Sequence, residues 1–216
     1  MPATMARESI PSALVTTAQA LPPLDPGVWE RVARVLEASF PPEELGPITD
    51  VREQIEQRSR RLWVNDGVTA VAITFDLETP AGDVLLEFLA VSPGVRSHGL
   101  GALLLDDLAA LAGGPIILEV ENPDVVTTED ARRRVRFYER CGGTVLPHAR
   151  GYAMPNLSGT GPATLPMWLI EMDPSRAAEL AGDELVELVT AIWTRGYSRA
   201  RTDPDLLSVV TRMASD

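Results

Sequence analysis

The segment Arg96-Ser97-His98-Gly99-Leu100-Gly101 sets two glycines where an apolar run ends and a leucine-rich helical pattern begins. The first amides of such a helix point outward with no Cβ in the way, and the helix dipole adds partial positive charge. The turn therefore suits an anion, above all a pyrophosphate. By itself a glycine pair at such a position is more often only a tight turn. Its spacing is neither the dinucleotide fingerprint nor a phosphate loop closing in Lys and Ser or Thr, which excludes a nucleotide triphosphatase. Two carboxylates sit in apolar runs, Glu87 in LLEFLAV and Glu119 in ILEVEN. Strict alternation puts Glu87 on one strand face with Leu85, Leu89 and Val91, and apolar flanks raise a carboxyl pKa, as a base at neutral pH requires. Each can instead project from an exposed face or pair with an arginine. Cys141 is the only cysteine, so neither an internal disulfide nor a cysteine zinc site can form. His98 and His148 have no metal-ligand partner at usable spacing, so no metal is expected.

These groups must be held by a scaffold, and the chain of 216 residues, 45% hydrophobic, is long enough for one sizeable core. A formal charge of -12 opposes binding of nucleic acid through a broad basic face and suits a cationic small substrate. The opening residues lack a secretory pattern and are too short for a membrane span, and with the single cysteine they predict a cytoplasmic protein that uses no membrane. Residues 1–25 are expected to form a flexible arm. Val28, Trp29, Val32, Val35 and Leu36 recur at helical spacing from Pro26, and a second helix is expected over Ile48 to Arg60. Breaks at Asn65-Asp66-Gly67 and Pro80-Ala81-Gly82 divide residues 61–91 into three antiparallel strands. Leu100, Leu103, Leu104, Leu108 and Leu111 predict a helix, ILEVEN a buried strand, and Thr127 or Thr128 caps a helix ending at Gly142-Gly143. A short strand at TVL, a long loop, a strand at MWLIEMD and tail helices over Arg176–Trp193 and Pro204–Met213 complete the order. Strand and helix do not alternate regularly, so a doubly wound sheet is excluded in favour of an α/β (α+β) fold with a mixed, mostly antiparallel sheet flanked by helices.

Together, LAVSPGVRSHGLGALLL, ILEVEN and RRRVRFYERCGG resemble the GNAT superfamily of N-acetyltransferases. Its cofactor motif is Arg or Gln, two residues, Gly, one residue, then Gly or Ala, which Arg96, Gly99 and Gly101 match. The resemblance is good from Trp63 to Leu146, loose before that and weak afterwards. It implies the acyl-CoA N-acyltransferase fold, acetyl-CoA as cofactor, and a strand ending at Val91 that bulges and splays from its parallel neighbour to admit pantetheine. It further implies that Leu89, Ala90 and Val91 face pantetheine and that Arg96, Ser97, His98, Gly99, Leu100, Gly101 and Ala102 surround the pyrophosphate. Asn122 is expected at cofactor or substrate, or as a loop cap. Tyr138 matches the tyrosine that in many members protonates the departing sulfur, a task suited to a phenol that stays neutral at pH 7. Glu119 stands where some members carry a catalytic glutamate, with Glu87 the other candidate base. The run Arg132, Arg133, Arg134 and Arg136 either forms salt bridges on a solvated face or reaches the 3'-phosphate.

Substrate choice falls to the first helices and to the long loop, where Tyr152 and Asn156 are the candidate contacts. The resulting reading is an N-acetyltransferase domain over residues 26–173 that moves acetyl to a primary amine of a small molecule by direct transfer. Acetylation of a protein N-terminus or lysine, and a non-catalytic acyl-CoA-binding regulatory domain, stand as alternatives. Residues 174–216 form a helical extension packed on the domain or at a homodimer interface, with Leu185, Leu188, Val189, Ile192 and Trp193 on its apolar face.

Overall fold

A computed structural model describes residues 17–214. Pro26 at the helix start and the Asp25 carboxylate, which accepts the Val28 amide at 3.0 Å, begin α1 (Pro26–Glu37). A one-turn α2 (Pro42–Leu45) follows, then α3 (Ile48–Glu56), which stops a turn earlier than its periodicity predicts. The meander is β2 (Arg61–Asn65), β3 (Ala70–Asp76) and β4 (Val84–Val91), all antiparallel. Strand β1 (Thr17–Ala20) adds to its outer edge against β2, so the end of the expected flexible arm is a sheet strand. Residues 1–16, the rest of that arm, lie outside the described residues. A single 3-10 turn (Pro93–Val95) leads into α4 (Leu100–Leu111), β5 (Ile116–Glu121) and α5 (Glu129–Arg140), whose cap is Thr128. Then come β6 (Thr144–Val145), β7 (Ala153–Pro155) and β8 (Thr164–Glu171). The stretch expected to be one long loop is thus a hairpin, β7 pairing with β8, because the AMP segment finds an edge at Thr164–Pro166. The main sheet order is β1-β2-β3-β4-β5-β8-β6, with β4–β5 its parallel pair.

The sheet separates two apolar layers. One face carries Trp63, Ala72, Leu86, Leu118 and Ile170 against α4 and α5; the other carries Ile73, Phe88 and Ala90 against α1 and α3, and Phe75, Leu85 and Ile117 against the tail. On α4 the buried leucines are Leu100, Leu104, Leu105 and Leu108; Leu105 replaces the expected Leu103 and Leu111, the latter 52% exposed. Alternation breaks once in the meander. Ile73 pairs with Phe88 and Thr74 with Leu86, so Glu87 is an extra residue, a β-bulge. Beyond it Leu89 and Val91 pack with the α4 layer while Phe88 and Ala90 pack with the α1 layer. Glu87 therefore does not share a face with Leu89 and Val91, and the strict alternation expected for this strand is corrected by one step. Next to the bulge β4 also leaves its parallel neighbour: it pairs with β5 only over Val84–Leu86, opposite Ile116–Leu118. The remainder of β4 diverges and opens a gap in the sheet.

The tail is α6 (Pro174–Glu179), α7 (Gly182–Ala191), a π turn (Ile192–Gly196) and α8 (Pro204–Met213). Leu180 and Ala181 in extended conformation divide the first expected helix in two. Leu185, Leu188, Val189, Ile192 and Trp193 are buried in one cluster with Phe75, Leu85 and Ile117, and the Trp193 indole donates to the Ala153 carbonyl at 3.2 Å. The face considered for a dimer is covered by the chain's own domain. Among the described residues no helix is long and apolar enough to cross a membrane, and no group of three potential metal ligands occurs.

Candidate active site

The gap between β4 and β5 continues into a cavity of about 600 Å³ bounded by the start of α4, α5, the end of α1 and Tyr197. One end is the open start of α4. Gly99 is the N-cap of α4 with φ 79°, a left-handed conformation that only glycine adopts without strain, and no side chain caps the helix. A Cβ on Gly101 would stand 3.3 Å from the Phe137 ring, so the chain there is as close-packed as glycine allows. The amides of Leu100, Gly101 and Ala102 have no acceptor among the described residues, and such amides suit an anion. Ser97, with φ 69°, and Leu89, Ala90 and Val91 complete this part of the wall.

Arg96 lines the cavity too, but its guanidinium folds back, Nε donating to the Val91 carbonyl at 2.9 Å and Nη2 to Ser39 Oγ at 3.3 Å. His98 faces away, with Nδ1 at 2.9 Å from the Arg96 carbonyl. Asn122 is outside as well: its Oδ1 accepts the Asp124 amide at 2.9 Å, which makes it a loop cap. Of the arginine run, Arg134 meets Glu121 at 2.7 Å and Glu44 at 3.8 Å, Arg133 meets Asp130 at 3.0 Å, and Arg136 pairs with Glu129.

The other end is acidic and deeply set. Glu119 projects from β5 into the cavity, with Oε1 accepting the Tyr152 hydroxyl at 2.6 Å and Oε2 the Tyr197 hydroxyl at 2.5 Å. Burial pushes its carboxyl up to about 7, against the pull of the two hydroxyls and with a further push from Glu87. Glu87, freed from its expected face by the bulge, binds Arg60 at 2.8 Å; burial raises its carboxyl and Arg60 opposes the rise. Glu44 on α2 also faces the cavity, and burial, reinforced by Glu121, lifts it to about 7 despite Arg134. Tyr138 lies on the α5 wall, 8% exposed, its hydroxyl making no hydrogen bond among the described residues; burial raises its pKa, with Arg134 pulling the other way.

Tyr152 and Asn156, the expected substrate contacts, are placed elsewhere. Tyr152 is 1% exposed and lies behind Glu119. Asn156 spends its amide on the hairpin, donating to the Thr160 and Pro162 carbonyls at 2.7 and 2.9 Å and accepting from the Ser158 amide at 2.9 Å. Glu44 and Tyr197 escape a reading of the sequence, since a glutamate in PPEEL and a tyrosine 78 positions from Glu119 carry no local mark.

A model of the acetyltransferase (GNAT) family matches residues 29–143, more than half of the chain. The chain belongs to the GNAT acetyltransferase family. Acetyl-CoA is the cofactor of that family. No curated protein sequence matches this GNAT acetyltransferase. Solved structures share its fold. A protein assigned to the GNAT family from Bacteroides thetaiotaomicron superposes with a TM-score of 0.68 at 24% identity, over 86% of this chain and all (100%) of the other. An aminoglycoside 6'-N-acetyltransferase complexed with coenzyme A gives 0.53 at 16% identity, over 74% of this chain and 98% of the other. The aminoglycoside 6'-N-acetyltransferase from Enterococcus faecium gives 0.52 at 15% identity, again over 74% and 98%. The residues of this GNAT acetyltransferase fit the cofactor: an uncapped helix start suits a pyrophosphate and the gap beside β4 suits an extended arm. Tyr152 and Tyr197, which hold Glu119, both lie beyond the residues that the family model matches.

Proposed function

We infer that the chain transfers the acetyl group of acetyl-CoA to a primary amine of a small, cationic molecule by direct transfer. The observation that carries this reading is Glu119, a buried carboxylate with a pKa near 7 that shares one cavity with the unbonded hydroxyl of Tyr138. Acetyl-CoA supplies an activated thioester whose C–S bond breaks as the C–N bond forms. Glu119 accepts a proton from the incoming amine, and at pH 7 about half of it is ionised and ready. Tyr138 gives its proton to the departing sulfur and recovers one from solvent, to which Glu119 releases the proton it took. Its raised pKa keeps the proton in place until thiolate develops. The uncapped amides of Leu100, Gly101 and Ala102 hold the phosphates.

A small acceptor is favoured because the amine end is walled. The Leu157 amide bonds the Glu43 carbonyl at 2.9 Å, tying the β7–β8 hairpin to α2, and Tyr197 closes the floor. A cation is favoured because Glu44, Glu87 and Glu119 line this end within a chain of net charge -12.

A screen of amines read by thiol release tests the reading, the expected outcome being turnover of polyamines or amino-sugars; a folded chain that binds acetyl-CoA and acetylates no amine refutes it. Tyr138→Phe is expected to lower kcat on the order of a hundredfold with little change in acetyl-CoA affinity, because the ring stays and only the proton donor goes. Gly99→Glu is expected to weaken acetyl-CoA binding, measured by calorimetry, on the order of a hundredfold through repulsion of the phosphates. Gly99→Ala, which bears the same left-handed strain without charge, should lose less than about tenfold.

A further inference from the structure

We propose that the C-terminal extension is part of the active site, with Tyr197 a positioning residue that fixes the Glu119 carboxylate jointly with Tyr152. The inference rests on the acetyl-transfer reading for its catalytic meaning, while the contact itself can be tested without turnover.

Helix α7 does not end as an ordinary helix. Thr190 Oγ1 donates to the Val186 carbonyl at 2.7 Å and Thr194 Oγ1 to the Thr190 carbonyl at 2.8 Å, competing with the backbone pattern where the π turn Ile192–Gly196 begins. A π turn inserts a residue and rotates the chain beyond it, and such turns concentrate at functional positions. Here it delivers Tyr197. The turn is locked from three sides. A Cβ on Gly196 would stand 3.0 Å from the Phe75 ring, so a larger residue would have to push that ring aside. The Gly196 carbonyl accepts Arg60 Nη2 at 2.8 Å, and the Arg60 guanidinium lies 3.6 Å from the Phe75 centroid while paired with Glu87. Trp193, 1% exposed, anchors the turn to the carbonyl of Ala153 on β7.

The result is a carboxylate with one hydroxyl on each oxygen. Each oxygen keeps its second lone pair, so the group can still take a proton. The two hydroxyls stabilise the ionised form and fix the plane of the carboxylate; without them a carboxyl this deeply buried would stay protonated. The other charged and titratable groups facing it are Glu87 with its partner Arg60 on the β4 side, Glu44 from α2, and the Glu121–Arg134 pair between β5 and α5. Tyr197→Phe leaves all of these in place.

The experiment is a pH titration of the full chain with 13Cδ-labelled glutamate, the Glu119 resonance being assigned by its loss in Glu119→Gln. Tyr197→Phe should raise the Glu119 midpoint by about one unit, because a hydrogen bond to the charged form is lost. Tyr152→Phe should move it in the same direction, and the double variant furthest. Where an amine is turned over, the acidic limb of kcat/KM should move by the same amount, with KM for acetyl-CoA unchanged. Thermal melting checks that each variant folds; should Tyr197→Phe not, Tyr197→Trp, which restores a donor on a ring, must keep the midpoint within a few tenths. A Glu119 midpoint unchanged or lowered in folded Tyr197→Phe overturns the proposal. A midpoint that rises in a chain acetylating no amine upholds the contact and counts against the acetyl-transfer reading alone.

Discussion

Glu119→Gln is expected to lower amine acetylation by two to four orders of magnitude, the range that a well-placed general base supplies, while acetyl-CoA affinity stays within a few-fold. The amide is isosteric: its oxygen can keep one tyrosine hydroxyl as a donor, and its NH2 can donate to the other hydroxyl oxygen with that bond reversed, so the loss reports chiefly the missing base. The native enzyme's rate should climb as pH rises through about 7, where Glu119 ionises, and that limb should vanish in the variant. Stability moves the opposite way to activity. The carboxyl is raised from 4.5 to about 7 on folding, so what its burial contributes is fully present below about 4.5 and is lost as pH rises through 7. Glu119→Gln should therefore resist urea better than the native chain at pH 8 and no better at pH 4.5. A variant that loses activity and also stability at pH 8 would mean that Glu119 is held for structural reasons; one that keeps activity would remove it as the base.

Arg176→Met is expected to cost about 3–5 kcal/mol, the range for leaving buried charges without their partner. Arg176 is the cation shared by two buried carboxylates at the end of the sheet away from the cavity, Asp83, 2.7 Å away with its side chain 2% exposed, and Glu171, fully buried, with the exposed Glu184 a third at 3.7 Å. The Thr79 hydroxyl and the Asp173 amide bond these carboxylates, at 2.5 and 3.1 Å, but carry no charge. The Asp83–Arg176 contact is close yet poorly aligned as a hydrogen bond, so its worth is chiefly Coulombic. For a chain of this size the loss corresponds to a fall in Tm of roughly 10 °C at pH 8. It should shrink toward pH 5, because burial already raises the Glu171 carboxyl and removing the opposing arginine raises it further. A melting point within about 2 °C of native at pH 8 would show that the pair only balances its own desolvation.

The framework of the fold is legible along the chain because its signals are local. Asn65-Asp66-Gly67 marks a hairpin, Gly99 marks a left-handed helix start, and Thr128 is a helix cap, each requiring only its immediate neighbours. The turn at Arg96 to Gly101 and the strand that carries Glu119 belong to the same class. The features that escape local reading depend on contacts between distant residues. Nothing in VLLEFLAV distinguishes Glu87 as an extra residue, since an apolar run with one glutamate fits an alternating strand as well as a bulged one; the register with β3 decides it. Tyr152 and Asn156 are polar residues in a glycine- and proline-rich stretch, which suggests exposure, yet one hydroxyl is taken by Glu119 and one amide by the hairpin's own carbonyls. The π turn that aims Tyr197 lies beside two threonines whose hydroxyls bond the helix backbone, in what periodicity alone makes a continuous helix.

The bulge at Glu87 acts as a phase shift of one position in an alternating code. Upstream of it odd-numbered β4 residues such as Leu85 belong to one layer, and downstream the odd-numbered Leu89 and Val91 belong to the other. Deleting a single residue between Leu86 and Phe88 would restore the original parity and exchange the partners of every later β4 side chain. In comparing relatives, then, a one-residue gap at this point is not loop-length variation: it marks a chain whose cavity wall is written in the opposite phase.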